Sequence, residues 1–148
     1  MLDKTDDEIL SVLRSDARLS FRQIAKKLKI HPTTAISRIA KLEKAGIIRG
    51  YGANLDLTTL GYEFMGVVQI KIAKGMILEA QSRISRLRGV VAVYDVTGEY
   101  DSMAIIAAKN RDAFSKLIKS FAHIQHVEHT NTQVILNVVK ASWQFEAV

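Results

Sequence analysis

The spacing of apolar residues changes character partway along the chain. Up to Gly46 they recur every three or four positions, the spacing that keeps them on one side of a helix. Ile9, Leu10, Val12 and Leu13 make such a stripe over residues 3–15, behind acids suited to a helix N-terminus. Its cap is either Asp3 or Thr5, the latter in a capping box with Glu8. Ser20, with Gln23 three residues on, opens a second helix backed by Ile24, Ala25 and Leu28. Pro32 stands in the first turn of a third, TTAISRIAKLEKAG, with Ala35, Ile36, Ile39 and Leu42 as its apolar face and Gly46 as its stop.

From Phe64 onward strand-like runs alternate with helical ones. Phe64–Ile72 reads as a strand, 78–87 as a helix ended by Gly89, and 90–97 and Ser102–Ala108 as two more strands. Residues 112–121 form a helix on Phe114, Leu117, Ile118 and Phe121, and 134–139 a last strand that begins as early as Val127. The order βαββαβ is the ferredoxin-like split unit. The expected fold class is α+β. A winged helix-turn-helix domain spans 1–50, with short strand character near 47–49; a linker or hinge spans 51–61 and a ferredoxin-like domain 62–148. Two helices cover one face of such a sheet, yet its strands are apolar on both faces. A second subunit's sheet is the simplest cover, so a homodimer is expected.

Charge adds a partner. Residues 1–50 carry 11 Lys and Arg against 6 Asp and Glu, a net of +5, whereas 51–148 carry 10 against 9, a net of +1. A polyanion is therefore expected at the first domain alone, against the competing reading of a solvated basic surface. On the third helix Thr34, Ser37, Arg38 and Lys41 fall at i, i+3, i+4 and i+7. Short hydroxyls with Arg and Lys on one stripe suit a helix in the major groove of double-stranded DNA. Arg22, Lys26 and Lys27 of the second helix suit the flanking phosphates.

The stretch VTGEYDSMA (96–104) interrupts the strands with a glycine and two carboxylates. A plain hairpin turn is one reading. Catalysis by Glu99 and Asp101 lacks a nucleophile, a metal cluster or an oriented histidine nearby. The third reading is a small-molecule site: free N–H groups of a turn hold a carboxylate, and a side-chain carboxylate holds an ammonium group. An amino acid needs both.

The block LDKTDDEIL, ARLSFRQIAKKL and PTT…RIAKLEKAGIIRGY resembles, in order and spacing, the N-terminal domain of the Lrp/AsnC family, the leucine-responsive and asparagine-operon (feast/famine) regulators. The resemblance continues into the second half. It implies that Thr33, Thr34, Ser37, Arg38 and Lys41 lie on or beside a recognition helix, and that the chain is a sequence-specific transcriptional regulator. His31 departs from the serine or other good cap usual in the family and joins the DNA-contact candidates, with Arg22 and Lys26. The family's hairpin carries a G-x-x-D pattern, met by Gly98 and Asp101, that lines an amino-acid pocket between subunits. Thr97, Gly98, Glu99, Tyr100, Asp101 and Ser102 are the implied effector residues, and Thr130, Asn131 and Thr132 the implied contribution of a neighbouring subunit. Assembly to octamers is implied as well. Alternatives are an effector-independent architectural DNA binder of the family, or a tetrapyrrole decarboxylase of related architecture, against which the basic stripe argues.

The remaining signals exclude rather than assign. No cysteine is present among the 148 residues, so disulfides and thiolate chemistry are ruled out. His123, His126 and His129 lie three apart, but in a loop entering a strand they diverge, and no metal is expected. No Walker or dinucleotide glycine motif appears, so no cofactor is expected. The polar, acidic start, with no apolar run long enough to span a bilayer, points to a cytoplasmic protein without a membrane partner. Trp143 and Phe145 are expected to pack on the sheet or on a partner subunit.

Overall fold

A computed structural model describes residues 2–53 and 55–139. The expected packing of Trp143 and Phe145 lies outside these residues. The described chain divides into two units at residue 54.

In the first unit, α1 (Lys4–Ser15) starts at Asp3, whose side chain accepts from the Asp6 N–H while Asp6 accepts from that of Asp3. The capping box is thus made by Asp3 and Asp6 rather than by Thr5 and Glu8. The helix α2 (Phe21–Leu28) carries the expected box of Ser20 and Gln23 and closes on Lys29 in the left-handed conformation, φ 55°. That reversal leads through Ile30 to α3 (Pro32–Lys44), with Pro32 in its first turn and Gly46, φ 70°, just past its end. Ile9, Val12, Leu13, Ile24, Ile39 and Leu42 are buried together, each contributing about 1.5–3 kcal/mol by its transfer from water. The strand expected at 47–49 is absent, since Ile47 and Ile48 donate back to the Leu42 carbonyl in the reversal that ends α3.

The second unit opens with a helical turn at 56–62, closed by Gly61 in the left-handed region, φ 84°. It continues as β1 (Phe64–Ile72), α4 (Ile77–Ile84), β2 (Val90–Asp95), β3 (Ser102–Ala108), α5 (Arg111–Phe121) and β4 (Val127–Ile135). The sheet order is β2-β3-β1-β4, and the paired strands all run antiparallel. On one face, Val68, Ile70, Ile72, Ala104 and Ile106 pack with Ala80, Ile84, Phe114 and Phe121 of the helices. The helix α4 stops at Ile84, so Gly89 does not cap it. Gly89 instead enters β2 at φ 97°, its carbonyl taking the Ala107 N–H at 2.8 Å. A Cβ there would stand 2.8 Å from Leu117 Cδ2 and 2.9 Å from the Ala107 carbonyl oxygen. Strand β4 lies earlier than 134–139: its polar stretch Thr130–Gln133 pairs along β1, which satisfies that backbone whatever the side chains prefer.

Candidate functional sites

The outward side of α3 is built by what its inward side buries. Ala35, Ile39 and Leu42 are sealed, leaving Thr33, Ile36, Ser37, Ala40, Lys41 and Lys44 exposed and Thr34 and Arg38 half-buried. Ile36, expected on the apolar face, is 45% exposed because the buried stripe of this helix is only three residues wide. His31 caps the helix weakly: Nδ1 accepts the Thr33 N–H at 3.4 Å and stands 2.8 Å from Thr33 Oγ1. Ser37 Oγ donates to the Thr34 carbonyl at 3.1 Å.

Arg38 turns toward α1. Its guanidinium donates to Asp6 Oδ1 at 3.0 Å and to Asp3, joining the capping box of α1 to the middle of α3. Those two carboxylates push the guanidinium pKa above its ordinary value, and the guanidinium holds both carboxyls below theirs. Because Asp6 is only 2% exposed, its charge depends on this partner. Arg22, Lys26 and Lys27 stand exposed and form no ion pair among the described residues.

In the second unit the hairpin between β2 and β3 meets the open face of the sheet. Across β1, direct opposition places Gln69 between Met103 and Asn131, and Val67 between Ile105 and Gln133. Residues facing each other across antiparallel strands share a face. A cleft of about 390 Å³ opens at this corner, lined by Gln69, Val96, Thr97, Glu99, Tyr100, Met103 and Asn131. Asn131 Nδ2 donates to Gln69 Oε1 at 3.0 Å, so the two amides form one polar wall. Met103, Val96 and the Tyr100 ring supply the apolar one. Among the described residues, no protein group accepts from the N–H of Thr97, Gly98, Glu99 or Tyr100. Gly98 holds φ 118°, a conformation that puts the turn within reach of glycine alone at low cost.

The implied effector residues therefore separate. Thr97, Glu99 and Tyr100 line the cleft and Gly98 shapes its rim. Asp101 instead reaches β1: Oδ2 accepts the Ile72 N–H at 2.8 Å and Oδ1 the Lys71 ammonium at 3.2 Å. The Ile72 N–H, and after it Lys71, hold that carboxyl below the usual range. Ser102 is fully buried on the helix side, where Gln81 Nε2 donates to its hydroxyl. Thr130 and Thr132 lie opposite Ile70 and Val68, on that same side. Asn131 lines the cleft of its own chain. Sequence reasoning missed Gln69, Val96 and Met103, although the lone amide at Gln69 in an apolar strand was a legible signal.

The three histidines have separate surroundings. His123 Nδ1 lies 2.9 Å from the Lys119 carbonyl oxygen, His126 Nε2 lies 3.9 Å from Glu79, and His129 stacks on Tyr100 at 6.1 Å between ring centroids. Among the described residues no group of three His, Cys, Asp or Glu is placed to hold a metal ion, and no helix is long and apolar enough to cross a membrane.

Comparison with known proteins places both units. Residues 2–49 match the winged helix-turn-helix DNA-binding model, and residues 65–144 match the Lrp/AsnC ligand binding domain. An uncharacterised HTH-type transcriptional regulator of Pyrococcus abyssi is 40% identical over 99% of both chains. The structure of E. coli AsnC superposes with a TM-score of 0.88 at 26% identity, over 96% of this chain and 97% of that one. A Neisseria meningitidis transcriptional regulator, solved as its L-Met complex, shares the fold with a TM-score of 0.89 at 24% identity, over 99% and 97%.

Proposed function

Because this chain belongs to the Lrp/AsnC family of helix-turn-helix transcriptional regulators, we propose that it reads specific duplex DNA through α3 and that a small amino acid in the hairpin cleft biases that binding. The observation that carries the effector reading is the composition of the cleft. Unpaired N–H groups at 97–100 suit an α-carboxylate, Glu99 suits an α-ammonium, and Val96, Met103 and Tyr100 receive an uncharged side chain. Its volume is at the small end of ligand sites, which fits an amino acid and is cramped for a tetrapyrrole. Glu99 is the one carboxylate of the lining, and His129 stacks on Tyr100 rather than lining the cleft, so the role proposed is binding.

On the DNA side, Thr33, Thr34, Ser37 and Lys41 present donors and a charge to base edges, with Arg22 and Lys26 on phosphates and His31 at the helix entry. Arg38 is assigned to holding α3 against α1, a positioning role. The open sheet face is proposed to pack on that of a second copy, giving a homodimer and a platform for higher assembly. A bound amino acid then acts by favouring one assembly or hinge state over another, through unequal affinity for the two.

Thermal unfolding beside each of the twenty amino acids tests the effector reading. At about 100 times its dissociation constant a ligand adds ~2.7 kcal/mol to stability. The expected result is a rise in Tm with one or a few amino acids that is lost in Glu99→Gln. No rise with any of them at millimolar concentration would instead mark an effector-independent DNA binder.

A further inference from the structure

The outward arc of α3 contains one residue that neither a phosphate nor a hydrogen-bonding base edge explains. At about 100° per residue, Ile36, Ala40, Thr33, Lys44 and Ser37 fall within an arc of about 100°, with Lys44 at the far end of the helix. That arc is exposed throughout, and Ile36 is its only large apolar member. Scattered exposed apolar residues are ordinary on protein surfaces. Ile36 is set apart by its company: a hydroxyl residue and a small one beside it, with Thr33 a turn earlier and Lys41 at the arc's flank. It stands on the fifth residue of the helix, counted from Pro32, in the N-terminal half that enters the groove in helix-turn-helix readers. Ala40, one turn on, keeps that side low enough for close approach. In the major groove the base edges offer donors, acceptors and one apolar feature, the C5-methyl group of thymine.

We infer that Ile36 is a specificity determinant that packs on the methyl group of a thymine in each half-site. The inference rests on the DNA-binding reading of α3 and adds to it a base identity. A β-branched side chain held at χ1 by the helix is a stiff apolar surface, so it loses little freedom on contact. At a cytosine or adenine the same side chain meets a polar edge and satisfies nothing, which is a penalty as well as a lost contact.

The experiment uses the full-length protein and duplexes enriched by it from a random pool. Each thymine of the enriched site is replaced singly by deoxyuridine, which removes the methyl group and leaves every hydrogen-bonding atom. Wild-type protein is expected to lose about fourfold in affinity at one thymine per half-site, the value of one buried methyl group. Ile36→Ala and Ile36→Ser should bind the thymine and deoxyuridine duplexes equally at that position. Both should melt with wild type, since the side chain is exposed. An enriched site without thymine, a flat deoxyuridine scan, or a scan unchanged in Ile36→Ala overturns the inference while leaving DNA binding intact. Enrichment of no duplex at all overturns the DNA-binding reading and this inference with it.

Discussion

The carboxylate of Asp101 illustrates how one side chain holds a loop beside a cleft without lining the cleft. It accepts from the Ile72 N–H and from Lys71, and its own N–H donates to the Ile70 carbonyl at 3.0 Å. These bonds pin the end of the hairpin to β1, one residue past the cleft-lining Tyr100. The group's pKa in the fold lies below its ordinary value of 3.8. A depressed carboxylate contributes stability that is fully present above the unfolded pKa and drains away as pH falls through the lower folded value. Amide exchange at Ile72 is the direct reporter. Its protection should decline as the medium is acidified below about pH 3.8. In Asp101→Asn it should be weaker at pH 6 and nearly insensitive to acid over the same range. Equal protection in the two proteins at pH 6 would remove Asp101 from this role.

At the scale of elements the same distinction separates Arg38 from its neighbours on α3. Its spacing with Thr34, Ser37 and Lys41 groups it with the residues proposed to read bases, while its contacts are the Asp3 and Asp6 carboxylates at the start of α1. Arg38→Met should lower the melting temperature of the helical unit, because Asp6 is left as a buried charge without its partner. Adding Asp6→Asn should restore part of the loss; a Tm unchanged by Arg38→Met would refute the clamp. This pair marks where local pattern ends: periodicity assigns a residue to a face, but a partner 32 positions away in the chain is invisible to it. Strands β1 and β3 were legible to the residue because both are apolar runs with sharp ends. Strand β4 begins at Val127, the earliest start expected, but ends at Ile135 rather than 139; its middle, Thr130–Gln133, is polar, and only the ladder with β1 explains its place. The cleft was half legible. The hairpin residues carried it, whereas Gln69 and Met103 entered through strand register, which only the assembled sheet fixes.

For the whole molecule the question is what covers the open face of the sheet. Met65, Val67, Met103 and Ile105 lie on it half-buried, opposite the face that α4 and α5 seal. The excess positive charge sits in residues 1–50, so on the proposed reading phosphate contact would be concentrated there and the sheet would be left to join subunits. Two helix-turn-helix units on one assembly would bind two half-sites, and specific affinity would then depend on the sheet as strongly as on α3. Val67→Glu tests this chain of dependence. Val67 opposes Ile105 and Gln133 on the open face, so in an isolated chain the new carboxylate reaches water and the fold should melt close to wild type. In a face-to-face dimer it would be buried without a partner, at a cost few interfaces absorb. Sedimentation should therefore find the wild-type protein as a dimer or larger assembly and the variant as a monomer. The variant's affinity for an enriched duplex should fall, and the slope of log affinity against log salt should drop to about half, because only one subunit's Lys and Arg side chains release counterions. A variant that sediments with wild type, or a wild type that is itself monomeric, would mean that the open face serves some other contact.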